Sequence, residues 1–131
     1  MISFYDELED ELAMHFARYG LSRAKFNVLM QLFMVDDQGL TQSELSKKML
    51  VSRANITGLI DRLEKEDMVI RMADAADRRV FKLRLTDRAA RLMNSFLPIH
   101  NEYVHKLISA LDREEKEMLI LLLAKLKRSL E

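Results

Sequence analysis

The sequence predicts a mainly α-helical protein with one small β-hairpin, and three observations predict this fold class. Apolar residues recur every three or four positions over most of the chain, which is the spacing of amphipathic helices. Between residues 69 and 85 apolar and polar residues alternate instead, as they do in strands. Only three glycines and one proline occur in 131 residues, so long irregular loops are not expected.

The first two helices are predicted from their apolar stripes and their end signals. A stripe that includes Tyr5, Leu8 and Leu12 predicts a helix between residues 2 and 19, which Gly20 ends. Ser22 is a suitable N-cap for a second helix that continues through Phe33. The polar segment 36–39 then predicts a turn.

Two short helices follow in close succession. Thr41 and Glu44 form a capping-box pattern, in which each side chain satisfies an unpaired backbone N–H at the start of a helix. Ser52 opens a second helix that extends through Asp67. Two short helices joined by three or four residues have the geometry of a helix-turn-helix. The second helix has a regular apolar stripe, which we expect to be buried: Ile56, Leu59, Ile60 and Leu63.

An antiparallel hairpin is predicted directly after this helix pair. Its strands are the alternating segments 69–73 and 80–85, and its tip is the polar segment 74–79. This is the position of the wing in a winged helix. Thr86 and Asp87 then cap a long helix that continues towards Leu111, and Pro98 is expected to kink or split it. Asp112 starts the last helix.

The composition is that of a soluble, folded protein, and it excludes several chemistries. With no cysteine, the chain has no disulfide, thiolate nucleophile or Cys-ligated zinc. The longest apolar run, 118–124, is too short to span a bilayer, and the acidic N-terminus lacks a signal-peptide pattern. We therefore expect a cytoplasmic protein without membrane contact. We also expect no catalytic site, no metal and no cofactor.

The overall charge is zero, but it is unevenly distributed. Residues 1–20 have a net charge of −4, and residues 41–91 have a net charge of +4. Solvated helix faces explain such segregation as well as a DNA-binding surface does.

Side chains suited to DNA lie on the helix that follows Ser52. Small residues on its polar face allow a close approach to a groove, and arginine and asparagine recognise guanine and adenine through pairs of hydrogen bonds. Arg53 and Asn55 near its N-terminus are placed for this role. An ordinary exposed helix with a surface arginine is the alternative.

The hairpin tip is basic. Arg78 and Arg79 lie there, Lys82 follows on a strand, and an arginine at such a tip can enter the narrow minor groove of DNA. Asp77 is close enough to hold an arginine side chain in position. The alternative is a hairpin whose cationic residues only prevent edge-to-edge aggregation.

Taken together, these segments resemble the MarR family of bacterial transcription regulators. The resemblance rests on residues 40–46, the helix 51–63 ending in Leu59-Ile60-Asp61-Arg62-Leu63-Glu64, the tip Asp77-Arg78-Arg79 followed by Leu85-Thr86, and the C-terminal segments 97–100 and 111–115. It covers nearly the whole chain. Leu50 departs from the glycine that many helix-turn-helix proteins have at this turn.

The resemblance implies a winged helix-turn-helix module on a helical dimerisation scaffold. The expected organisation is one continuous domain, with residues 21–87 binding DNA and residues 1–20 and 88–131 forming the dimer. The expected function is sequence-specific binding of a pseudo-palindromic double-stranded operator by a homodimeric repressor. The residues expected to form the DNA-binding surface are Thr41, Gln42, Ser43, Ser52, Arg53, Ala54, Asn55, Thr57, Arg62, Asp77, Arg78, Arg79 and Lys82.

The last helix supports a dimer independently. Residues 118–124 are apolar around the full circumference of the helix, so a second chain is expected to cover part of it, together with the stripe of the first helix. A helix buried entirely within one chain is the alternative.

A small effector is also expected, because many members of the family respond to aromatic or lipophilic ligands. The candidate pocket residues are His15, Phe16, Tyr19, Phe26 and Met30, although aromatic residues at helical spacing also form ordinary core. An alternative function is a winged-helix module that binds protein without specific DNA binding, which the zero net charge and acidic first helix favour.

Overall fold

The computed structural model describes residues 2–49 and 53–131, and over these residues the chain is helical except for a short turn, one hairpin and the connections. The mainly helical fold class with a small hairpin is thereby confirmed. The elements are α1 (Ile2–Ala17), α2 (Arg23–Val35), a 3-10 turn (Asp36–Gln38), α3 (Gln42–Met49), α4 (Arg53–Lys65), β1 (Val69–Ala73), β2 (Phe81–Leu85), α5 (Asp87–Leu107) and α6 (Arg113–Arg128).

The chain forms two compact units, which divide within α5. The first unit extends through Phe96 and the second runs from Leu97 to Glu131. The first unit holds α1, the helix pair and the hairpin, so α1 lies in the same unit as the winged module.

The helix boundaries in the first unit follow the local signals closely. The Ser22 hydroxyl accepts a hydrogen bond from the backbone N–H of Lys25 and caps α2, as predicted. At α3, the Thr41 hydroxyl accepts from the N–H of Glu44 at 3.1 Å. The Glu44 carboxylate accepts from the Thr41 hydroxyl instead of the predicted backbone N–H, so the reciprocal half of the capping box is wrong.

Helix α4 ends at Lys65, two residues before the predicted end. Asp67 has a positive φ of 58°, and the N–H of Met68 donates to the carbonyl of Leu63, so the chain turns back over the last helical turn. The predicted start at Ser52 lies outside the described residues.

Strands β1 and β2 form the predicted antiparallel hairpin. Val69 pairs with Leu85, Arg71 with Leu83 and Ala73 with Phe81. Leu83 also exchanges two backbone hydrogen bonds with Leu40, at 2.7 and 3.1 Å, which joins the hairpin to the segment before α3. Residues from α4, the hairpin and this segment are buried together: Leu40, Ile56, Leu59, Ile60, Leu63, Val69 and Leu83.

Helix α5 continues through Pro98, so the helix is not split there, and it ends at Leu107, short of Leu111. Proline removes one backbone hydrogen bond, but Ala89, Met93 and Phe96 are fully buried on the preceding turns. Burial of this face outweighs the local cost of the proline. Thr86 caps the helix, since its hydroxyl accepts from the N–H of Ala89.

In the second unit, Asp112 caps α6 with the reciprocal bonds of a capping box to Glu115. The apolar residues of α6 are exposed in the single chain: Met118, Leu119, Ile120, Leu121, Leu122, Leu123 and Leu126. Within the described part of the chain, no helix is both long enough and apolar enough to cross a membrane.

We predict that Gly39→Ala destabilises the protein by about 1–3 kcal/mol, the cost of a strained backbone conformation. Gly39 has φ 67° and ψ 178°, a region almost restricted to glycine. A Cβ atom there would also lie 2.7 Å from the carbonyl oxygen of Leu83. Urea unfolding of both proteins measures the change.

Gly20→Ala is the matched control, since Gly20 also has a positive φ but a Cβ there would meet no atom within 4 Å. We expect a smaller loss in this variant. Equal losses at the two positions would show that contact with Leu83 adds nothing.

Candidate nucleic-acid interface

The buried stripe of α4 determines which side of this helix is available to a partner. Ile56, Ile60 and Leu63 are fully buried, and the opposite side is exposed. The predicted residues Ala54, Asn55, Thr57 and Arg62 all lie among the exposed positions, together with Gly58 and Asp61. The side chains of Ser52 and Arg53 lie outside the described residues.

The polar start of α3 is joined to this exposed side. The side-chain amide of Gln42 donates to the Thr57 hydroxyl at 2.6 Å. Thr41 and Gln42 are half-buried, whereas Ser43 is exposed. The structure therefore brings Gln42 and Thr57 together, and their hydrogen bond fixes the orientation of both side chains where α3 meets α4.

The tip of the hairpin holds one arginine in a defined orientation. The Asp77 carboxylate accepts from Nε and Nη2 of Arg79, both at 3.1 Å, and from the backbone N–H of the same residue. These hydrogen bonds, first those of the guanidinium and then that of the backbone, lower the pKa of Asp77 below its usual value. Both side chains thus stay charged at neutral pH.

This pair leaves the arginine accessible. The Arg79 side chain is 91% exposed, and its Nη1 group takes no part in the pair with Asp77. The paired carboxylate restricts a long, flexible side chain before any partner binds, which reduces the entropy lost on binding. Arg78 is also exposed.

Lys82 is less suited to a contact at the tip than its neighbours. It pairs with Met72 across the hairpin, on the face opposite buried Leu83, and its amine lies 3.8 Å from the Asp74 carboxylate. Its side chain is half-buried. The structure thus places Lys82 on the outer face of the hairpin, away from α4.

A groove of about 600 Å³ lies between α2, α3 and α4, beside the exposed side of α4. Arg23, Lys48 and Arg62 line it, together with the side-chain amides of Asn27 and Asn55. Its described lining residues include no carboxylate, and Arg23 pairs with Glu9 of α1 outside the lining, so Lys48 and Arg62 are the cations of the groove available to phosphate groups.

Four of the predicted effector residues, all except Met30, form a compact aromatic cluster in the first unit. His15 and Phe16 are buried, at 4% and 3% exposure, and Tyr19 and Met30 are half-buried. The rings of His15, Phe16, Tyr19 and Phe26 each lie within 6 Å of Phe96. Burial, and then the charge of Arg18, lower the pKa of His15, which favours its neutral form.

Two residues that contact the candidate sites were not predicted from the sequence. Phe96 is the centre of the aromatic cluster, yet it lies 70 residues beyond Phe26 and has no local signal. Arg71 forms ion pairs with Asp61 and Glu64 of α4, both at 2.9 Å. The alternation of the strand places Arg71 on the same face as Val69, but neither the burial of that face nor the partners of Arg71 were predicted.

The fold is closely similar to that of a known DNA-binding protein. The crystal structure of the S. aureus MepR–DNA complex superposes with a TM-score of 0.85 and 25% sequence identity, covering 98% of this chain and 94% of that one. The organohalide-sensing regulator RdhR-CbdbA1625 without ligand gives a TM-score of 0.84 at 22% identity, which concerns the fold alone.

The fold and the exposed surface define a winged helix-turn-helix DNA-binding transcriptional regulator. The model of the MarR family matches residues 21–81. The HTH-type transcriptional regulator MhqR of Bacillus subtilis (strain 168) is 34% identical over 114 residues, which are 87% of this chain and 77% of that protein. The HTH-type transcriptional repressor YetL of the same strain is 36% identical over 112 residues, covering 86% and 67%. The chain belongs to the MarR family.

Proposed function

We propose that this protein is a homodimeric repressor that binds a pseudo-palindromic operator, with α4 in the major groove and the hairpin tip in the adjacent minor groove. The observation that supports it most strongly is the Asp77–Arg79 pair, which presents an oriented and almost fully exposed guanidinium at the tip. A minor groove concentrates negative potential where it is narrow and attracts such a group.

The exposed side of α4 supports the major-groove contact. Ala54 and Gly58 are small enough to allow a close approach, and Asn55 can form paired hydrogen bonds with adenine. The bond from Gln42 holds the Thr57 hydroxyl on the same side. We propose that Arg53, Ser52 and Ser43 complete this surface, and that Arg62 contacts phosphate.

The apolar surface of α6 supports the homodimer. Seven large apolar side chains of this helix are exposed in the single chain. Monomeric soluble proteins rarely expose so many large apolar side chains close together. We propose that residues 1–20 and 88–131 form the dimer scaffold, and that residues 21–87 form the DNA-binding module. A two-fold dimer places the two recognition helices about 34–36 Å apart, one turn of DNA.

We further propose that a small aromatic or lipophilic effector relieves repression by entering the aromatic cluster beside the half-buried Tyr19 and Met30. Titrating phenolic compounds and fatty acids into the protein–operator complex tests this. If none of these compounds releases the DNA, the proposed effector is contradicted.

Because the target is chromosomal DNA, we propose that the protein acts in the cytoplasm.

We predict that Arg79→Ala weakens binding to the intergenic duplex beside its own gene by about tenfold to a hundredfold, the range for loss of one oriented arginine contact. The slope of log affinity against log salt concentration should become shallower, by about 0.9 if one phosphate contact is lost. Fluorescence anisotropy titrations at several salt concentrations measure both quantities.

Arg113→Ala is the control, because its side chain is 92% exposed and also pairs with a carboxylate of its own element, Glu117. We expect this variant to keep the affinity and slope of the parent. An Arg79→Ala protein that binds as tightly as the parent would show that the tip does not contact DNA. If the parent binds the intergenic duplex no more tightly than a scrambled duplex, the intergenic DNA contains no specific operator for this protein.

We predict that Leu122→Asp converts the dimer to a monomer, because a carboxylate would have to be buried without a partner at the interface of α6. Sedimentation equilibrium measures the mass, and the same protein should bind the operator at least about tenfold more weakly, since one monomer contacts only one half-site. Lys125→Asp is the control at a polar position of α6, and this protein should stay dimeric. A dimeric Leu122→Asp protein would place the interface elsewhere.

A further inference from the structure

The hairpin is buried at its base and exposed beyond it. Val69 and Leu83 are 2% exposed, whereas the other four residues of β1 are all exposed. Leu83 is the outermost buried residue of the hairpin, and Arg71 lies directly opposite it. Arg71 is therefore at the point where the hairpin leaves the body of the first unit.

At this point the hairpin is joined to the recognition helix by charged groups. Nη2 of Arg71 lies 2.9 Å from the Asp61 carboxylate, and Nε lies 2.9 Å from the Glu64 carboxylate. Asp61 and Glu64 are three residues apart in α4, so they share one side of the helix. One planar guanidinium thus bridges two positions of α4, which restricts both its distance and its rotation relative to the helix.

The other arginine of the hairpin that forms a long-range ion pair is arranged differently. Arg84 lies on the outer face opposite Ile70, between Leu83 and Leu85, and pairs with Asp37 of the 3-10 turn at 2.8 Å. Its side chain is 32% exposed, close to the 35% of Arg71. Among the described residues of the hairpin, Arg71 is the one with an ion pair to α4.

We propose that Arg71 is a positioning residue that holds the outer hairpin against α4 and so sets where Arg79 stands relative to the recognition helix. The inference rests on the proposed contact of Arg79 with DNA. Arg71 itself acts through Arg79, because its side chain is 35% exposed, against 91% for Arg79, and both of its carboxylate partners belong to α4.

Of two sets of variants, one weakens DNA binding whether Arg71 acts by position or by simple charge, and for the other the two explanations predict opposite changes. Arg71→Met removes a positive charge, and Asp61→Asn with Glu64→Gln removes two negative charges beside the DNA. If charge alone mattered, the first change would weaken DNA binding and the second would strengthen it. If the bridge positions the hairpin, both changes weaken binding, because each breaks the same ion pairs.

The experiment is a mutant cycle with Arg79→Ala, measured by anisotropy on the intergenic duplex beside the gene of this chain. We expect Arg71→Met, and separately the Asp61→Asn/Glu64→Gln pair, to weaken binding about three- to tenfold, the range for loss of one or two exposed ion pairs. In the Arg79→Ala background, Arg71→Met should cause no further loss. Arg84→Met is the matched control, with affinity within about twofold of the parent.

Two results would overturn the inference. One is tighter binding by the Asp61→Asn/Glu64→Gln protein, and the other is an undiminished effect of Arg71→Met in the Arg79→Ala background. If Arg79→Ala alone has no effect, the proposed tip contact and this inference both fail, whereas undiminished additivity removes this inference alone. Circular dichroism melting checks that each variant folds. If Arg71→Met does not fold, the affinity of the Asp61→Asn/Glu64→Gln protein tests the inference.

Discussion

The molecule depends on the apolar contact between the recognition helix and the base of the hairpin. Ile56, Ile60 and Leu63 of α4 are fully buried, and they share a core with Val69 and Leu83 of the hairpin. Two backbone hydrogen bonds to Leu40 hold Leu83 in this core. Because the stripe of α4 must face inward, its polar side must face outward, beside the wing that the same core anchors. One packing constraint therefore creates a continuous surface from two elements.

The core places α4 and the hairpin side by side, and polar contacts then fix the orientation of single side chains on their exposed surface. Gln42 orients Thr57 at the start of the surface, and Asp77 orients Arg79 at its far end. Each bond restricts a side chain in advance of binding, so less conformational entropy is lost when DNA is bound. The single chain also exposes the apolar face of α6, and a symmetric partner would both cover that face and double the DNA surface.

Much of the fold could be predicted from the sequence, because its elements depend on local signals. The cap at Ser22, the apolar stripe of α4 and the strand β1 are each predicted from signals within a few residues, and all three are confirmed. The failures concern competition between local and distant effects. Pro98 predicts a kink or a split from local chemistry alone, but helix α5 is not split there, and Phe96 and Met93 are fully buried on the turns before it.

The details of the candidate site were less predictable, because they depend on contacts far apart in sequence. Nothing near Phe96 indicates that it packs against His15 and Phe26, and nothing near Arg71 indicates its carboxylate partners. The pairing of Asp77 with Arg79 was predictable, because the two residues are only two positions apart at a tip. The roles of the surface residues in DNA binding remain predictions.

If α4 and the hairpin tip bind neighbouring grooves of one operator half-site, methylation protection shows it most directly. Dimethyl sulfate modifies guanine N7 in the major groove and adenine N3 in the minor groove. We expect two protected guanine clusters about 34–36 Å apart, each with protected adenines on its outer side. At protein concentrations that saturate the weaker complex, Arg79→Ala should abolish only the adenine protection. Protection confined to guanines in the parent, or adenine protection that persists in Arg79→Ala, would contradict the account.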